Sequence, residues 1–174
     1  MILRIAKIAT ATSIAAFLSL VTFGNLTDYD TNFAFVQHVM AMDTIFATST
    51  ISYRAVTNPV LHHLAYGLII ATQAVVSILC WMGVFRLLRR LRADALTFDR
   101  AKNFIVIGLT FAFLLYQFGF VTIGGEWFGM WMSAQWNGVP SAFRFLITIL
   151  AVLIFVALPD GELADAPPRS ARVK

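Results

Sequence analysis

Cysteine is nearly missing from this chain. Cys80 is the only one in 174 residues, and it sits inside an apolar run. No intrachain disulfide can form, and no Cys/His spacing for zinc is present. Charge is scarce as well: Asp, Glu, Lys and Arg make up 13%, against about 25% in an ordinary soluble domain. Signature motifs are also lacking. There is no Gly-Lys-Ser/Thr phosphate loop, no Gly-x-Ser-x-Gly elbow and no His-Glu-x-x-His. Asp28-Tyr29-Asp30-Thr31-Asn32 imitates the start of a calcium loop. However, Phe33 stands where its glycine belongs and Val39 where its glutamate belongs, which rejects an EF-hand.

In place of charge there is hydrophobic residue, 59% of the chain, and it is concentrated in four runs. These are Ile8 to Gly24, Leu64 to Phe85, Phe104 to Ile123 and Phe145 to Leu158. A membrane-spanning helix needs roughly 20 mainly apolar residues. The expected spans are about 3–24, 62–85, 104–123 and 141–158, an all-α four-helix transmembrane bundle. Arg4 and Lys7 in the first span are expected to snorkel to the interface. That span also has the basic start of a signal peptide, but Phe23-Gly24-Asn25-Leu26 offers no small-x-small cleavage site, so a retained helix is preferred. Residues 159–174, with Pro167-Pro168 and mixed charge, read as a flexible cytoplasmic tail.

The spans carry no charge except near their ends. A mid-bilayer charge costs roughly 2.5–3.5 kcal/mol on insertion scales and is kept for transport or proton relay. Its absence counts against a proton-coupled pump. Gln73, Ser77, Thr110, Tyr116 and Gln117 are the polar residues left in the second and third spans, and helix–helix hydrogen bonding accounts for them.

The net charge of +4 is unevenly placed. All but two of the 13 Lys and Arg lie before the first run, between the second and third, or after the fourth; the exceptions are Arg54 and Arg144. Basic residues stay cytoplasmic during insertion. Both termini and the Arg86–Lys102 segment are therefore expected in the cytoplasm, with the two other loops outside. The same arginines could touch anionic lipid. They form no recognisable nucleic-acid motif, so no nucleic-acid partner is expected.

The two outer loops hold the candidate site. In the first, Phe35, Val39, Met42 and Phe46 share a helical stripe, read as an interfacial helix after turn residues at Asn25 and Thr27-Asp28. In the second, Trp127 and Trp131 at i, i+4 would share one face of a short helix, with Gly124-Gly125 turning the chain before it and Glu126 at its N-terminus. Tryptophan favours the level where hydrocarbon meets water. Together the loops are expected to form an apolar, Trp-rich outer cap. Its polar and aromatic candidates are Asp28, His38, Asp43, His62, Glu126, Trp127, Trp131, Trp136, Asn137 and Arg144. Arg144, in the first turn of the fourth span, is expected to pair with Glu126, Asp28 or Asp43. His38 and Asp43 are five apart, which does not align them on one helix face. The histidines read as groups satisfying contacts at helix ends. No catalytic residue and no cofactor is assigned; a metal, haem or quinone stays open. Both halves also show a span, an acidic-aromatic pair and an Asn near a Pro, which suggests a two-helix repeat.

The loops resemble a known family. Asn25-Leu26-Thr27-Asp28-Tyr29, Asn32, Phe35-Val36-Gln37-His38-Val39 and Met42-Asp43-Thr44 resemble the first loop of the bacterial small predicted integral membrane proteins catalogued as domain of unknown function 2165. Gly124-Gly125-Glu126-Trp127-Phe128, Met130-Trp131, Trp136-Asn137-Gly138 and Ala142-Phe143-Arg144-Phe145 resemble its second signature. The resemblance implies four spans in a bacterial inner membrane and implies no activity. The preferred expectation is a non-enzymatic accessory or binding protein acting through its outer face on membrane lipid, a small apolar ligand or a membrane-protein partner. A redox or metal-dependent enzyme subunit, and a small transporter or channel, are the alternatives.

Overall fold

The computed structural model describes residues 1–163 and is all-helical there. Helix α1 spans Ile2–Thr27, α2 Tyr29–Ala41, α3 Pro59–Arg89, α4 Ala95–Ala101, α5 Asn103–Leu114 and α6 Val139–Ala157. Beyond α5 the same rod continues as a π-helix over Leu115–Trp127. Short 3₁₀ turns occupy Ser52–Arg54 and Met130–Met132. Four helical stretches are long and apolar enough to cross a membrane: Ile2–Thr27, Pro59–Arg89, Ala95–Trp127 and Val139–Ala157. Of the tail, residues 164–174 lie outside the described residues.

The helix ends follow ordinary capping chemistry. Asn58 accepts from the Val60 N–H and Pro59 opens α3, where its missing N–H costs nothing. Asp94 caps α4 through the Thr97 N–H. Pro140 sits at the start of α6, so the fourth span begins close to the expected Ser141.

The spans pack as a closed ring: α1 on α3, α3 on α5, α5 and its π-helical extension on α6, and α6 back on α1. Ala11, Ala15, Leu18, Val76, Cys80, Ile105, Leu109 and Ile149 form the dry centre. Small residues let the backbones approach. A side chain on Gly83 would run into the Ile105 backbone, and one on Gly108 would meet Cys80. Polar atoms tie α1 to α3: Asn25 Nδ2 donates to Gln73 Oε1 at 2.7 Å, and the Ser19 and Ser77 hydroxyls are 2.8 Å apart. The Trp81 indole N–H donates to Ser19. The expectation of helix–helix bonding thus holds for Gln73 and Ser77. It does not hold for Thr110, which bonds back to Val106 O in its own helix, or for the buried Tyr116 hydroxyl, which has no partner among the described residues.

Three local readings need correction. Asn25 and Thr27 do not start a loop, because α1 runs through them; only Asp28, at φ −120° and ψ 56°, breaks α1 from α2. The stripe Phe35, Val39, Met42, Phe46 is not one helical face, since α2 stops at Ala41 and Met42 takes a left-handed φ of 53°. Arg4 and Lys7 do not snorkel outward. They are 1% and 2% exposed and point into the bundle end.

At that end a charged clasp closes the ring. Lys7 Nζ lies 2.8 Å from Asp160 Oδ2, Lys102 bonds the same oxygen, and Lys102 also pairs with Asp99 at 2.6 Å. Arg4 donates to Leu91 O and Ala93 O, at 3.1 and 2.6 Å, and to Gly161 O, and it faces the Phe98 ring. Burial alone would raise the Asp160 carboxyl, but the hydrogen bonds from Lys102 and Lys7 outweigh it and hold the carboxyl below its ordinary value.

Candidate functional site

At the opposite end, α2 crosses the mouth of the bundle. On one side Tyr29 meets Tyr66 and His63 of α3: the Tyr29 hydroxyl and His63 Nδ1 are 2.8 Å apart, and the Phe33 and His63 rings stack at 4.0 Å. On the other side Phe35 and His38 meet Trp136, with centroids at 6.3 and 4.5 Å, the His38 ring stacked. Gly138 is where the chain passes closest; a Cβ there would strike the Phe35 ring at 2.7 Å.

The segment after α2 folds back along the second loop. Met42 in its left-handed conformation turns the chain, and Asp43 Oδ2 comes to 2.7 Å from His38 Nδ1. The five-residue spacing that argued against this pair assumed an unbroken helix; the reversal at Met42 removes that objection. Thr44 donates to Ser133 Oγ, which also accepts the Trp136 N–H. Phe46 meets Trp131 edge-on at 5.8 Å. Arg54 lies 4.9 Å from the Trp127 ring and donates to Trp127 O. His62, 2% exposed, bonds Val56 O through Nε2.

The other candidates stay apart. Trp127 and Trp131 share no helix, because Gly129, at φ 64°, breaks the chain between them. Gly124-Gly125 make no turn; they lie buried in the π-helix, Gly124 against Met130 and Gly125 against Val139. Glu126 consequently sits at a helix C-terminus and not at an N-terminus. It is exposed and forms no ion pair among the described residues. Arg144 pairs with none of Glu126, Asp28 or Asp43. Its Nε donates to Pro140 O, one turn back on its own exposed helix face, where water or headgroups can solvate the charge. Asn137 accepts the Val139 N–H and helps start α6. Asp28 is exposed at the α1–α2 break. No three His, Cys, Asp or Glu converge in metal-binding geometry among the described residues.

Sequence reasoning missed the space beneath α2. A cavity of about 280 Å³ lies between Val36, Val39 and Met40 of α2, Ala65 and Ile69 of α3, and the π-helix at Leu115, Gly119 and Ile123. Its lining is almost wholly apolar. Phe35 and Phe120 divide it from a second space of about 270 Å³, bordered by Tyr116, Asn137, Ser141 and Phe145. The π-helix is what opens this wall. Its i→i−5 ladder, seen where the Phe128 N–H reaches Ile123 O, is wider than an α-turn. Such segments are mostly single turns and recur at functional sites. Gly119 then removes a side chain from the wall.

The sequence profile described as "Predicted small integral membrane protein (DUF2165)" matches residues 3–159. The chain belongs to this family. Nothing matches among curated proteins or solved structures. The match covers both loops, all four long apolar helices and the clasp up to Pro159, so the resemblance seen in the loops extends to the whole bundle. The family description carries no activity.

Proposed function

We propose that this family member is a non-enzymatic binding protein of the bacterial inner membrane, and that it holds the acyl or prenyl chain of a lipid beneath α2. Both termini face the cytoplasm in this reading, and the Trp-bearing loops form an outer, periplasmic cap. The observation that carries it is the 280 Å³ cavity walled by Val36, Val39, Met40, Ala65, Ile69 and the π-helix. Apolar walls and the absence of convergent polar groups suit a hydrocarbon chain and give no foothold to a polar substrate. His38–Asp43, Trp136 and Ser133 then serve to hold α2 and the second loop over the cavity.

A photoactivatable fatty acid, incorporated into the membrane, tests this. Crosslinks are expected on α2 and on the Leu115–Ile123 stretch, and Ala65→Phe, which fills the cavity, is expected to remove them while the helical content stays intact. Labelling confined to lipid-facing positions such as Leu68 and Ile78, or labelling unaffected by Ala65→Phe, overturns the reading.

A further inference from the structure

The arginines between the second and third spans do more than orient the chain. Arg86, Arg89 and Arg90 at the end of α3 and Arg100 on α4 surround a pocket of about 520 Å³, together with Thr97 and Ala101. No acidic residue among the described residues lines it. None of the four arginines forms an ion pair among the described residues. The buried cations of the same end behave otherwise: Lys7 and Lys102 pair with carboxylates, and the terminal nitrogens of Arg4 donate to backbone carbonyls. Four guanidinium groups around one space repel one another unless an anion sits between them.

One of the four arginines is also held in place. The Arg86 guanidinium carbon lies over the Phe104 ring, 3.8 Å from its centroid, which holds the guanidinium at the pocket edge. The Thr97 hydroxyl is committed to Asp94 Oδ2, so recognition falls to the arginines. A planar guanidinium fork matches a phosphate with two parallel hydrogen bonds. Beside the pocket, Phe85, Leu88 and Leu96 are large, apolar and exposed. These apolar side chains neighbour the pocket residues along the chain, at the end of a membrane-length helix.

We propose that this pocket binds the phosphate of an anionic lipid headgroup, with the acyl chains lying on the apolar surface beside α3. The site is at the opposite end of the bundle from the cavity beneath α2, and neither proposal rests on the other. A free phosphate ester shares the headgroup's chemistry but would gain nothing from Phe85, Leu88 and Leu96.

The test uses the full chain in nanodiscs, where both faces are accessible whatever the orientation. Thermal midpoint and native mass spectrometry are compared in phosphatidylcholine alone, with added phosphatidylglycerol, and with glycerol 1-phosphate added to the phosphatidylcholine discs. Phosphatidylglycerol is expected to raise the midpoint and remain bound, and glycerol 1-phosphate to do neither. Changing all four arginines to lysine keeps the charge but loses the fork, and is expected to weaken lipid retention about tenfold. Arg92→Lys, outside the pocket, is expected to change nothing. Should the fourfold variant fail to fold, Arg100→Gln, at an exposed position of α4, is expected to weaken binding in the same direction. Lysine variants that retain the lipid like the wild type, or Arg100→Gln with full binding, overturn the pocket. Glycerol 1-phosphate binding as well as the lipid overturns the lipid assignment.

Discussion

One carboxylate, Asp160, joins three separate segments. It accepts from Lys7 of α1 and from Lys102 ahead of α5 while sitting just past α6, and the three side chains are 5%, 3% and 6% exposed. Removing one partner of a buried ionic set leaves uncompensated charge, so Asp160→Asn is expected to lower stability by about 3–5 kcal/mol. Thermal unfolding of the purified protein in detergent checks this. The pH dependence has a definite sign. Asp160 titrates below its ordinary 3.8 in the folded chain, so its stabilisation is complete above that value and fades as the pH falls through the lower, folded pKa. The wild type is expected to lose melting temperature on acidification over that range, and Asp160→Asn to lose less. Arg144 is the contrast. Its side chain is exposed and among the described residues bonds only Pro140 O, and exposed charges contribute about 0–1 kcal/mol, so Arg144→Ala is expected to melt within that margin of the wild type. The sequence displays both residues equally well. What it does not display is direction: whether a cation near a helix end turns inward, as Lys7 does, or outward, as Arg144 does, depends on which distant segment arrives beside it.

Among elements, the four spans were legible because hydropathy over about 20 residues reports burial or lipid contact whatever the neighbours are. Their close approach was not. Gly83 and Gly108 look like any other glycines in an apolar run, but a Cβ on Gly83 would clash with the Ile105 backbone, while one on Gly67 meets nothing within 4 Å. Gly83→Ala is therefore expected to destabilise the bundle by about 1–3 kcal/mol through forced separation of α3 and α5. Gly67→Ala, in the same helix, is expected to be neutral or to gain about 0.5–1 kcal/mol from helix propensity. A melting comparison of the two variants in one detergent separates packing from propensity. The π-helix over Leu115–Trp127 escaped notice for a related reason. Apolar residues on all sides leave no stripe whose period could reveal an i→i−5 ladder, and Gly124-Gly125 mimic a turn. Likewise the His38–Asp43 bond was hidden behind the left-handed Met42, a backbone state that a methionine gives no reason to expect.

For the whole molecule, two independent features bear on orientation. The clasp gathers the start of α1, the segment ahead of α5 and the residues after α6 at one end, through Arg4, Lys7, Lys102 and Asp160. The loops bearing Trp127, Trp131 and Trp136 meet the first loop at the other. This division coincides with the charge map, in which only Arg54 and Arg144 of the ten described basic residues fall on the Trp-bearing side. Charge bias acts during insertion, on loops short enough to be held back by their arginines, and the segment from Arg86 to Lys102 is such a loop. The clasp acts afterwards, by making an inverted arrangement of a single span incompatible with the bonds from Lys7 and Lys102 to Asp160. A reporter fused after Lys174 is therefore expected to act as cytoplasmic, and one inserted beside Asn137 as external. A C-terminal fusion active only outside the cytoplasm would reverse the assignment. Neutralising Arg86, Arg89, Arg90 and Arg92 together is expected to yield mixed reporter signals, whereas Arg54→Gln is expected to leave them unchanged, because the bias is carried by the basic end.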